Sequence, residues 1–238
     1  MQTQKVHGNS TAAQENKPSP WRQAAYGVAF LPVSIALQAA SIGVGVMKGW
    51  TNWETVHNAF NPPHCPLPIP TLNEKGCVVS LPYDLDIAYT HPDNPEEVKQ
   101  SIRNAVHVQK NAQYDFYTRY VVQEEFLFRT VLQETLLKQA PKWVLEKVAP
   151  TKMHWVDSKI AKVARIGLSA AAFSAYHLSN RAALGLSDSQ MNMQLCNTFG
   201  LGIATGILQE KTGSTWASIG LHFSWNLLAG TLEMRKCY

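Results

Sequence analysis

The sequence predicts an all-α fold: a multi-pass transmembrane helical bundle of about five spans, with a polar, loop-rich insertion outside the membrane. Charged residues make up only 16% of the 238 residues, whereas a soluble domain usually carries about 25%. A bilayer is crossed by roughly 20 apolar residues. Three runs of about this length contain no Asp, Glu, Lys or Arg, namely Ala24–Met47, Ser189–Gln209 and Thr212–Leu232. Such runs favour membrane helices over the buried helices of a soluble all-α protein.

Before the insertion, the sequence predicts a disordered tail and one span. Residues 1–23 are polar and contain a Pro-Ser-Pro breaker, so they have too little apolar surface to fold alone. Residues 24–47 are predicted to form the first transmembrane helix. Three small residues placed four positions apart, Ser41, Gly45 and Gly49, would let another helix approach closely.

Residues 48–114 are predicted to form a polar, Pro-rich segment outside the membrane. Together with Asp115 they hold eight of the thirteen prolines, and eight acidic residues against five Lys and Arg. This composition predicts looped chain with one short helix, Pro95–Gln113, which begins with an Asn cap and a first-turn Pro. Cys65 and Cys77 would pair only in an oxidising compartment. The histidines nearby match no zinc-finger spacing.

Residues 115–235 are predicted to form the helical core. Besides two of the charge-free runs, they include a shorter apolar run, Ile166–Asn180, which gains a turn if flanking Lys and Arg side chains reach back to the headgroups. Phe116–Leu137 is a further span, apolar apart from a few charges. Gly202 and Gly206 form a small-xxx-small face for close helix packing. The glycine of the QEKTGST turn would adopt the backbone conformation that a tight connection requires.

Positive charge predicts the orientation of the bundle. From Lys138 to Arg165 there are seven Lys and Arg against two acidic residues, so the loop 138–165 is expected to be cytoplasmic. Counting spans outward places the N-terminus in the cytoplasm and residues 48–114 on the external or lumenal side. The formal net charge of +4 thus reflects topology. No interleaving of Arg with aromatic residues indicates a nucleic-acid partner.

Polar side chains occur inside these apolar helices, where an ionisable group is costly unless it faces another polar group or a wet cavity. Glu124 lies beside the first of three pairs whose members are four residues apart and therefore share a helix face. These pairs are Glu125 with Arg129, Phe173 with His177, and His222 with Asn226. At a rise of about 1.5 Å per residue, Glu124 and His222 both fall near mid-membrane. The helices could therefore bring these side chains together.

Acid, imidazole and amide groups at one site are suited to hydrolysis. A carboxylic acid shielded from water has a raised pKa, which brings it nearer the working pH of a general base. Imidazole and amide groups can donate hydrogen bonds to a developing oxyanion. Each motif alone also fits a plainer role, either as an ion pair on a helix surface or as a polar contact between packed helices. The sequence contains no HExxH or GxSxG motif.

The three motifs resemble those of the CPBP (ABI) intramembrane proteases, the family that includes the type II CAAX prenyl proteases. The family pattern is EExxxR, FxxxH and HxxxN on successive membrane helices, and here these motifs read EEFLFR, FSAYH and HFSWN. The stretch before the last motif, FGLGIATGILQEKTGSTWASIGLH, is also similar to the family's glycine-spaced helix and Thr-Gly turn. The similarity covers about Phe116 to Leu232 and leaves the first half of the chain without a counterpart.

The resemblance implies a role for each motif residue. These roles are water activation by Glu124 and His177, an oxyanion hole of His222 and Asn226, and support by Glu125, Arg129 and Phe173. The family was long labelled metalloprotease, and Glu124, His177 and His222 would be the ligands if zinc were bound. No cofactor is required in this interpretation. Zinc is not favoured because Asn226 suits an oxyanion hole and not a zinc site.

The predicted function is that of an intramembrane endopeptidase that hydrolyses membrane-associated peptide or protein substrates with glutamate- and histidine-activated water. Lipidated substrates are one option within the family, and the lipid bilayer is the other expected partner. The alternative is a catalytically silent scaffold or bacteriocin-immunity-type binding protein of the same fold, in which the motif residues would be dispensable. A proton or metal transporter would use the same polar groups, but no inverted repeat supports it.

Overall fold

The computed structural model describes residues 18–61, 71–72, 78–80 and 118–234, and most of them are helical, as predicted. The first helices are α1 (Pro20–Ala29), α2 (Leu31–Met47) and α3 (Trp53–Phe60). Helix α4 (118–125) leads into a π-helix (Phe126–Gln139), which continues as α5 (Ala140–Val148). The rest comprises a 3₁₀-helix (Pro150–Trp155), α6 (Lys159–Tyr176), a 3₁₀ turn (His177–Ser179), α7 (Asn180–Leu184), α8 (Asp188–Thr212) and α9 (Thr215–Met234).

Two short strands lie in the insertion of an otherwise helical structure, so the all-α fold class is confirmed. β1 (Thr71–Leu72) pairs antiparallel with β2 (Val78–Ser80), and their β-branched residues suit a pleated strand. The insertion also contains α3, which was not expected there. The predicted helix Pro95–Gln113 and the pairing of Cys65 with Cys77 fall on residues outside the described ranges.

The first apolar run forms two helices, not one straight span. α1 and α2 meet at Phe30 with a bend of 48°. Pro32 lies in the first turn of α2, a position that tolerates its missing N–H but does not let a helix continue through it unbroken. α1 begins at Pro20, so the last part of the predicted tail 1–23 is helical.

A helix can cross a membrane only if it is long and apolar enough. Among the described residues, no single helix is long and apolar enough to cross a membrane, and the bent pair α1 and α2 is the one combination that is. The number of about five spans therefore stays a prediction.

The helix that carries the EEFLFR motif changes its winding within the motif. It is α-helical to Glu125, and the next fourteen residues, Phe126–Gln139, form a π-helix with backbone bonds between residues five apart. Thr135 Oγ1 donates to the Thr130 carbonyl oxygen at 2.8 Å, across the same five-residue spacing. π-Helical turns are rare in proteins overall, but those that occur are often found at functional sites. Hydrophobic periodicity did not predict this one.

The segment 138–165, predicted to be a cytoplasmic loop, is largely helical. It contains α5, the 3₁₀-helix Pro150–Trp155 and the start of α6. Ser158 caps α6 by accepting a hydrogen bond from the Ala161 amide at 3.2 Å. The Lys and Arg residues of this segment predict its orientation, but both residue types are also good helix formers. The orientation that their charge predicts is a separate matter, which the fold does not decide.

α1 packs against α9 with the two backbones in contact. A Cβ on Gly27 would lie 1.9 Å from the carbonyl oxygen of Ala217, and a Cβ on Gly220 would lie 2.2 Å from the carbonyl oxygen of Ala24. Neither position can hold a side chain unless the helices separate. The first apolar run is therefore part of the same bundle as the motif helices.

We expect Gly220→Ala to destabilise the bundle by about 1–3 kcal/mol, the usual range for overpacking. The new methyl group would meet the backbone of Ala24, which cannot rotate away as a flexible side chain can. Gly167→Ala in α6 is the matched control, because no described atom lies within 4 Å of its Cβ position and alanine favours a helix interior. Thermal unfolding in detergent micelles, followed by circular dichroism, would compare them. Equal midpoints would contradict the close α1–α9 contact.

α2 packs along α8 in the same close manner. A Cβ on Gly200 would lie 2.6 Å from Gln38 Cα, and a Cβ on Gly45 would lie 2.7 Å from Cys196 Sγ. Gly45 thus serves the close approach predicted for it. Gly49 does not, since no described atom lies within 4 Å of its Cβ position. It instead adopts a φ of +70° just after the helix ends.

α8 packs closely against α6 through the predicted small-residue face. A Cβ on Gly202 would lie 2.9 Å from Ala170 Cα, and a Cβ on Gly206 would lie 3.2 Å from Ile166 Cγ2. At the end of α8, Gly213 has a φ of +62° and its amide donates to the Gln209 carbonyl, which confirms its predicted part in the turn. The buried apolar core lies between the π-helix, α6, α8 and α9 and includes Phe128, Phe173, Leu201, Leu208, Leu221 and Trp225.

Candidate active site

One cavity of about 790 Å³ brings together four of the predicted site residues. Glu124 lines it from α4, His177 from the turn after α6, and His222 and Asn226 from α9. A cavity of this volume can enclose a ligand of several hundred daltons. The three helices thus meet in the way that the depth of their polar residues indicated.

Both oxygens of Glu125 are occupied. Its Oε2 accepts a hydrogen bond from Arg129 Nε at 3.1 Å, and its Oε1 accepts one from His222 Nδ1 at 2.9 Å. Glu125 and Arg129 are fully buried. These two bonds offset part of the cost of burying the Glu125 charge, because removing charges from water is expensive. Glu125 therefore orients His222 and has no oxygen left for a substrate.

Glu124 is the carboxylate that lines the cavity. Its side chain is 14% exposed, and its Oε2 lies 3.8 Å from His222 Nε2, which is beyond hydrogen-bonding distance. Since Nδ1 of His222 is bound to Glu125, Nε2 is the ring nitrogen available to a ligand. The two adjacent glutamates thus differ in what they contact: Glu125 has only protein partners, and Glu124 borders the space where a substrate would lie.

Phe173 lies between the two histidine rings. Its ring meets His177 edge-on with 4.9 Å between ring centroids, and His222 edge-on with 5.6 Å, an arrangement that aromatic rings favour. His177 Nδ1 donates to the Phe173 carbonyl oxygen at 2.9 Å. Because a carbonyl oxygen can only accept, this bond makes Nε2 the unprotonated nitrogen of the neutral His177 ring.

A buried polar chain extends from Glu125 away from the cavity. Arg129 Nη1 donates to Gln133 Oε1 at 3.1 Å and to Ser169 Oγ at 2.7 Å. Ser169 in turn donates to the Phe128 carbonyl oxygen at 3.0 Å. Sequence analysis missed Gln133 and Ser169. A signal for Gln133 was available, because it continues the four-residue spacing of Glu125 and Arg129.

The chain continues to a second buried ion pair near the turn between α8 and α9. Gln133 Nε2 donates to the Gly206 carbonyl oxygen at 3.0 Å and to Glu210 Oε1 at 3.4 Å. Arg165 binds both oxygens of Glu210, at 2.9 and 3.0 Å. The sequence predicts that Glu210 belongs to a turn and that the Arg165 side chain reaches the headgroups. Both instead anchor the far end of the polar network.

The residues suggested as zinc ligands do not form a ready-made metal site. Within the part of the chain that the structure describes, no three His, Cys, Asp or Glu side chains are arranged to hold a metal ion. Of the suggested set, His222 has one ring nitrogen bound to Glu125, and His177 has one bound to the Phe173 carbonyl. That no cofactor is required therefore stays a prediction.

α8 contributes polar residues to the cavity that sequence analysis did not single out. Gln194, Asn197 and Thr198 line its wall. They lie in the charge-free run that was interpreted only as a membrane span. The available signal was the spacing of Gln194 and Asn197, which are three residues apart and therefore on one helix face.

Comparison with known protein families supports the resemblance carried by the motifs. A model of the Rce1-like type II CAAX prenyl endopeptidase family matches residues 118–228, which contain all three motifs. The predicted resemblance is thereby confirmed for this part of the chain. The family is membrane-embedded and is one of proteases. No curated protein and no solved structure matches the chain.

Proposed function

We propose that this chain is a membrane-embedded endopeptidase that cleaves prenylated, membrane-associated substrates. The name of the family that residues 118–228 match, type II CAAX prenyl endopeptidase, describes this activity. The observation that carries the proposal is the difference in burial and contacts between two adjacent glutamates. Glu125 is fully buried with both oxygens bound by protein groups, whereas Glu124 borders the cavity opposite His222. Polar contacts that only join helices would leave no carboxylate facing an open space.

Glu124 and His177 are proposed to activate the attacking water. The Glu124 carboxylate takes a proton from the water as its oxygen attacks the carbonyl carbon of the scissile bond. The unprotonated Nε2 of His177, set by the bond from Nδ1 to the Phe173 carbonyl, accepts a hydrogen bond from the O–H that stays on the attacking oxygen and so orients this oxygen. When the carbon–nitrogen bond breaks, Glu124 passes the proton on to the leaving amine.

His222 and Asn226 are proposed to stabilise the oxyanion that forms on the attacked carbonyl. The Asn226 side chain can donate an N–H, and it lies one turn from His222 on α9, on the same cavity wall. When His222 carries a hydrogen on both ring nitrogens, its Nε2–H donates to the oxyanion while its Nδ1–H donates to the Glu125 carboxylate. Donors fixed before the reaction stabilise the developing charge without reorganisation. Glu125, Arg129 and Phe173 hold the donors in place.

Exposed tryptophans support a bundle that spans the bilayer. Trp216 lies three residues after the Gly213 turn, while Trp50 and Trp53 lie at the opposite end of α8, where the Trp50 carbonyl accepts a hydrogen bond from Asn192 and Thr55 contacts Ser189. Tryptophan is enriched where a membrane meets water. We propose that the basic segment after the π-helix faces the cytoplasm and that the insertion lies on the other side.

The substrate class is tested with the purified chain in liposomes and a quenched fluorescent peptide that ends in a CaaX sequence with a farnesylated cysteine. We expect cleavage of this peptide, with the new termini identified by mass spectrometry, and slow or no cleavage of the same peptide without the farnesyl group. Equal cleavage of both peptides would remove prenyl recognition from the proposal but leave the endopeptidase. Failure to cleave either one would contradict the proposed function.

A further inference from the structure

The guanidinium group of Arg129 is held from another helix by a hydrogen bond to Ser169 of α6. Its partners Glu125 and Gln133 lie on the same continuous helix as Arg129, four residues to either side. Among the described residues, Ser169 Oγ is the one hydrogen-bond acceptor that another helix offers to this group, at 2.7 Å from Nη1. Ser169 also donates to the Phe128 carbonyl oxygen at 3.0 Å. One hydroxyl group thus fixes both the Arg129 side chain and the helix that carries it relative to α6.

Gln133 holds the same nitrogen of Arg129 and is itself tied to α8. Its Oε1 accepts from Arg129 Nη1 at 3.1 Å, and its Nε2 donates to the Gly206 carbonyl oxygen at 3.0 Å. α8 packs closely here, because a Cβ on Gly206 would lie 3.3 Å from Gln133 Oε1 and 3.5 Å from Arg129 Nη1. Arg129, Gln133 and Ser169 are fully buried. Bulk solvent therefore does not supply a replacement partner when one of these bonds is lost.

The orientation of Arg129 determines that of His222, because the Glu125 carboxylate joins them. Arg129 Nε donates to one oxygen of Glu125, and His222 Nδ1 donates to the other. A carboxylate bound at both oxygens by fixed donors keeps its orientation, whereas one bound to a mobile guanidinium group rotates with it. Groups that stabilise a transition state must be held within about 0.5 Å of the productive geometry by neighbours that are themselves locked in place. A rotation of Glu125 would move His222 Nε2 away from the oxyanion.

We propose that Ser169 and Gln133 are positioning residues for the cleavage reaction. They fix Arg129 so that the Glu125 carboxylate holds His222 Nε2 where the oxyanion forms. This inference rests on the proposed function, since it assigns both residues to the oxyanion side of the site. An interaction made only in the transition state contributes to kcat and not to KM. Loss of either positioning residue should therefore slow the chemical step without weakening substrate binding.

The first test compares Ser169→Ala and Gln133→Met with the wild type, using the purified chain in liposomes and the farnesylated CaaX peptide. We expect kcat per folded protein to fall by about 5- to 50-fold in each variant, part of the about 10²- to 10³-fold that loss of a whole oxyanion donor costs. KM should stay unchanged. Ser174→Ala is the matched control and should keep the wild-type kcat. Ser174 is also buried on α6, but it donates to the Leu195 carbonyl oxygen at 2.8 Å and does not line the cavity.

A double-mutant cycle with His222 separates positioning from a merely structural role. In the His222→Ala background, Ser169→Ala should change kcat little, because the donor that it positions is gone. A structural effect would lower kcat by the same factor in both backgrounds, as independent sites do. Single-turnover measurements with excess enzyme make the slow variants comparable. Equal factors in the two backgrounds would overturn the inference.

The nitrogen NMR signals of His222, in protein with isotope-labelled histidine, separate this inference from the proposed function. The signals are identified by their loss in His222→Ala. Ser169→Ala should shift the His222 Nδ1 signal and Ser174→Ala should not, whether or not the wild type cleaves. Cleavage with an unchanged kcat in Ser169→Ala would overturn the inference and leave the endopeptidase. No cleavage by the wild type, together with the shifted signal, would overturn the endopeptidase and uphold the coupling of Ser169 to His222. An unmoved signal in Ser169→Ala would overturn the inference in either case.

Discussion

Replacing Glu124 by glutamine will lower the rate of peptide cleavage by about 10²- to 10⁴-fold, the usual contribution of general acid–base catalysis. Glutamine keeps the size of the side chain and its place beside His222, but it cannot take a proton from water. KM should change little, because glutamine fills the same volume on the cavity wall. The measurement is the initial rate of cleavage of the farnesylated peptide by each purified protein in liposomes.

Glu134→Gln is the matched control for this substitution. Glu134 lies on the π-helix, 26% exposed, with an ion pair to Lys138 at 3.0 Å, and it does not line the cavity. It should cleave at the wild-type rate. If folded Glu124→Gln protein also cleaves at the wild-type rate, the water-activation mechanism is wrong and a binding protein of the same fold becomes the better account.

Replacing Arg129 by methionine will destabilise the bundle by about 3–5 kcal/mol, the expected loss when one partner of a buried ion pair is removed. Methionine fills much of the same volume but leaves Glu125 as an isolated charge, fully buried in the bundle. It also removes the donors to Gln133 and Ser169. Chemical unfolding in mixed micelles, followed by circular dichroism, would measure the loss.

A double variant and a control separate the buried charge from simple packing. Glu125→Gln combined with Arg129→Met should recover part of the lost stability, because glutamine carries no charge and can still accept a hydrogen bond from His222. Lys138→Met breaks a partly exposed pair four residues apart, and such pairs contribute only about 0–1 kcal/mol. Equal losses for Arg129→Met and Lys138→Met would show that the buried ion pair contributes no more to stability than the partly exposed one.

The motif residues could be predicted from the sequence because four-residue spacing places side chains on one helix face whatever surrounds the helix. Depth along a helix could be estimated in the same way from a constant rise per residue. These two rules were enough to predict that Glu124, His177 and His222 would meet. They could not predict the π-helix that begins at Phe126, because winding depends on contacts with neighbouring helices. They also could not predict that α1 packs against α9. Gly27 and Gly220 make this close contact possible, but glycines alone do not specify which helix is the partner.

The division of roles between the two glutamates also needed the fold. In the sequence Glu124 and Glu125 are adjacent and chemically identical. The four-residue spacing pairs Glu125 with Arg129, but it does not say which glutamate faces a cavity. Their side chains leave the helix about 100° apart, as follows from 3.6 residues per turn. One therefore points toward Arg129 and His222, and the other toward the cavity. The position of α9 decides which of the two glutamates points toward His222 and which toward the cavity.

By itself the sequence determined the helical character of the chain, the motif residues and the glycines that allow close packing, because these follow from local composition and spacing. The tertiary structure alone decided which polar groups are paired and which are left free. Hydrogen bonding joins residues far apart in the chain, such as Glu125 with His222 and Gln133 with Glu210. The bond from Arg129 to Ser169 is likewise visible only once α6 is in place.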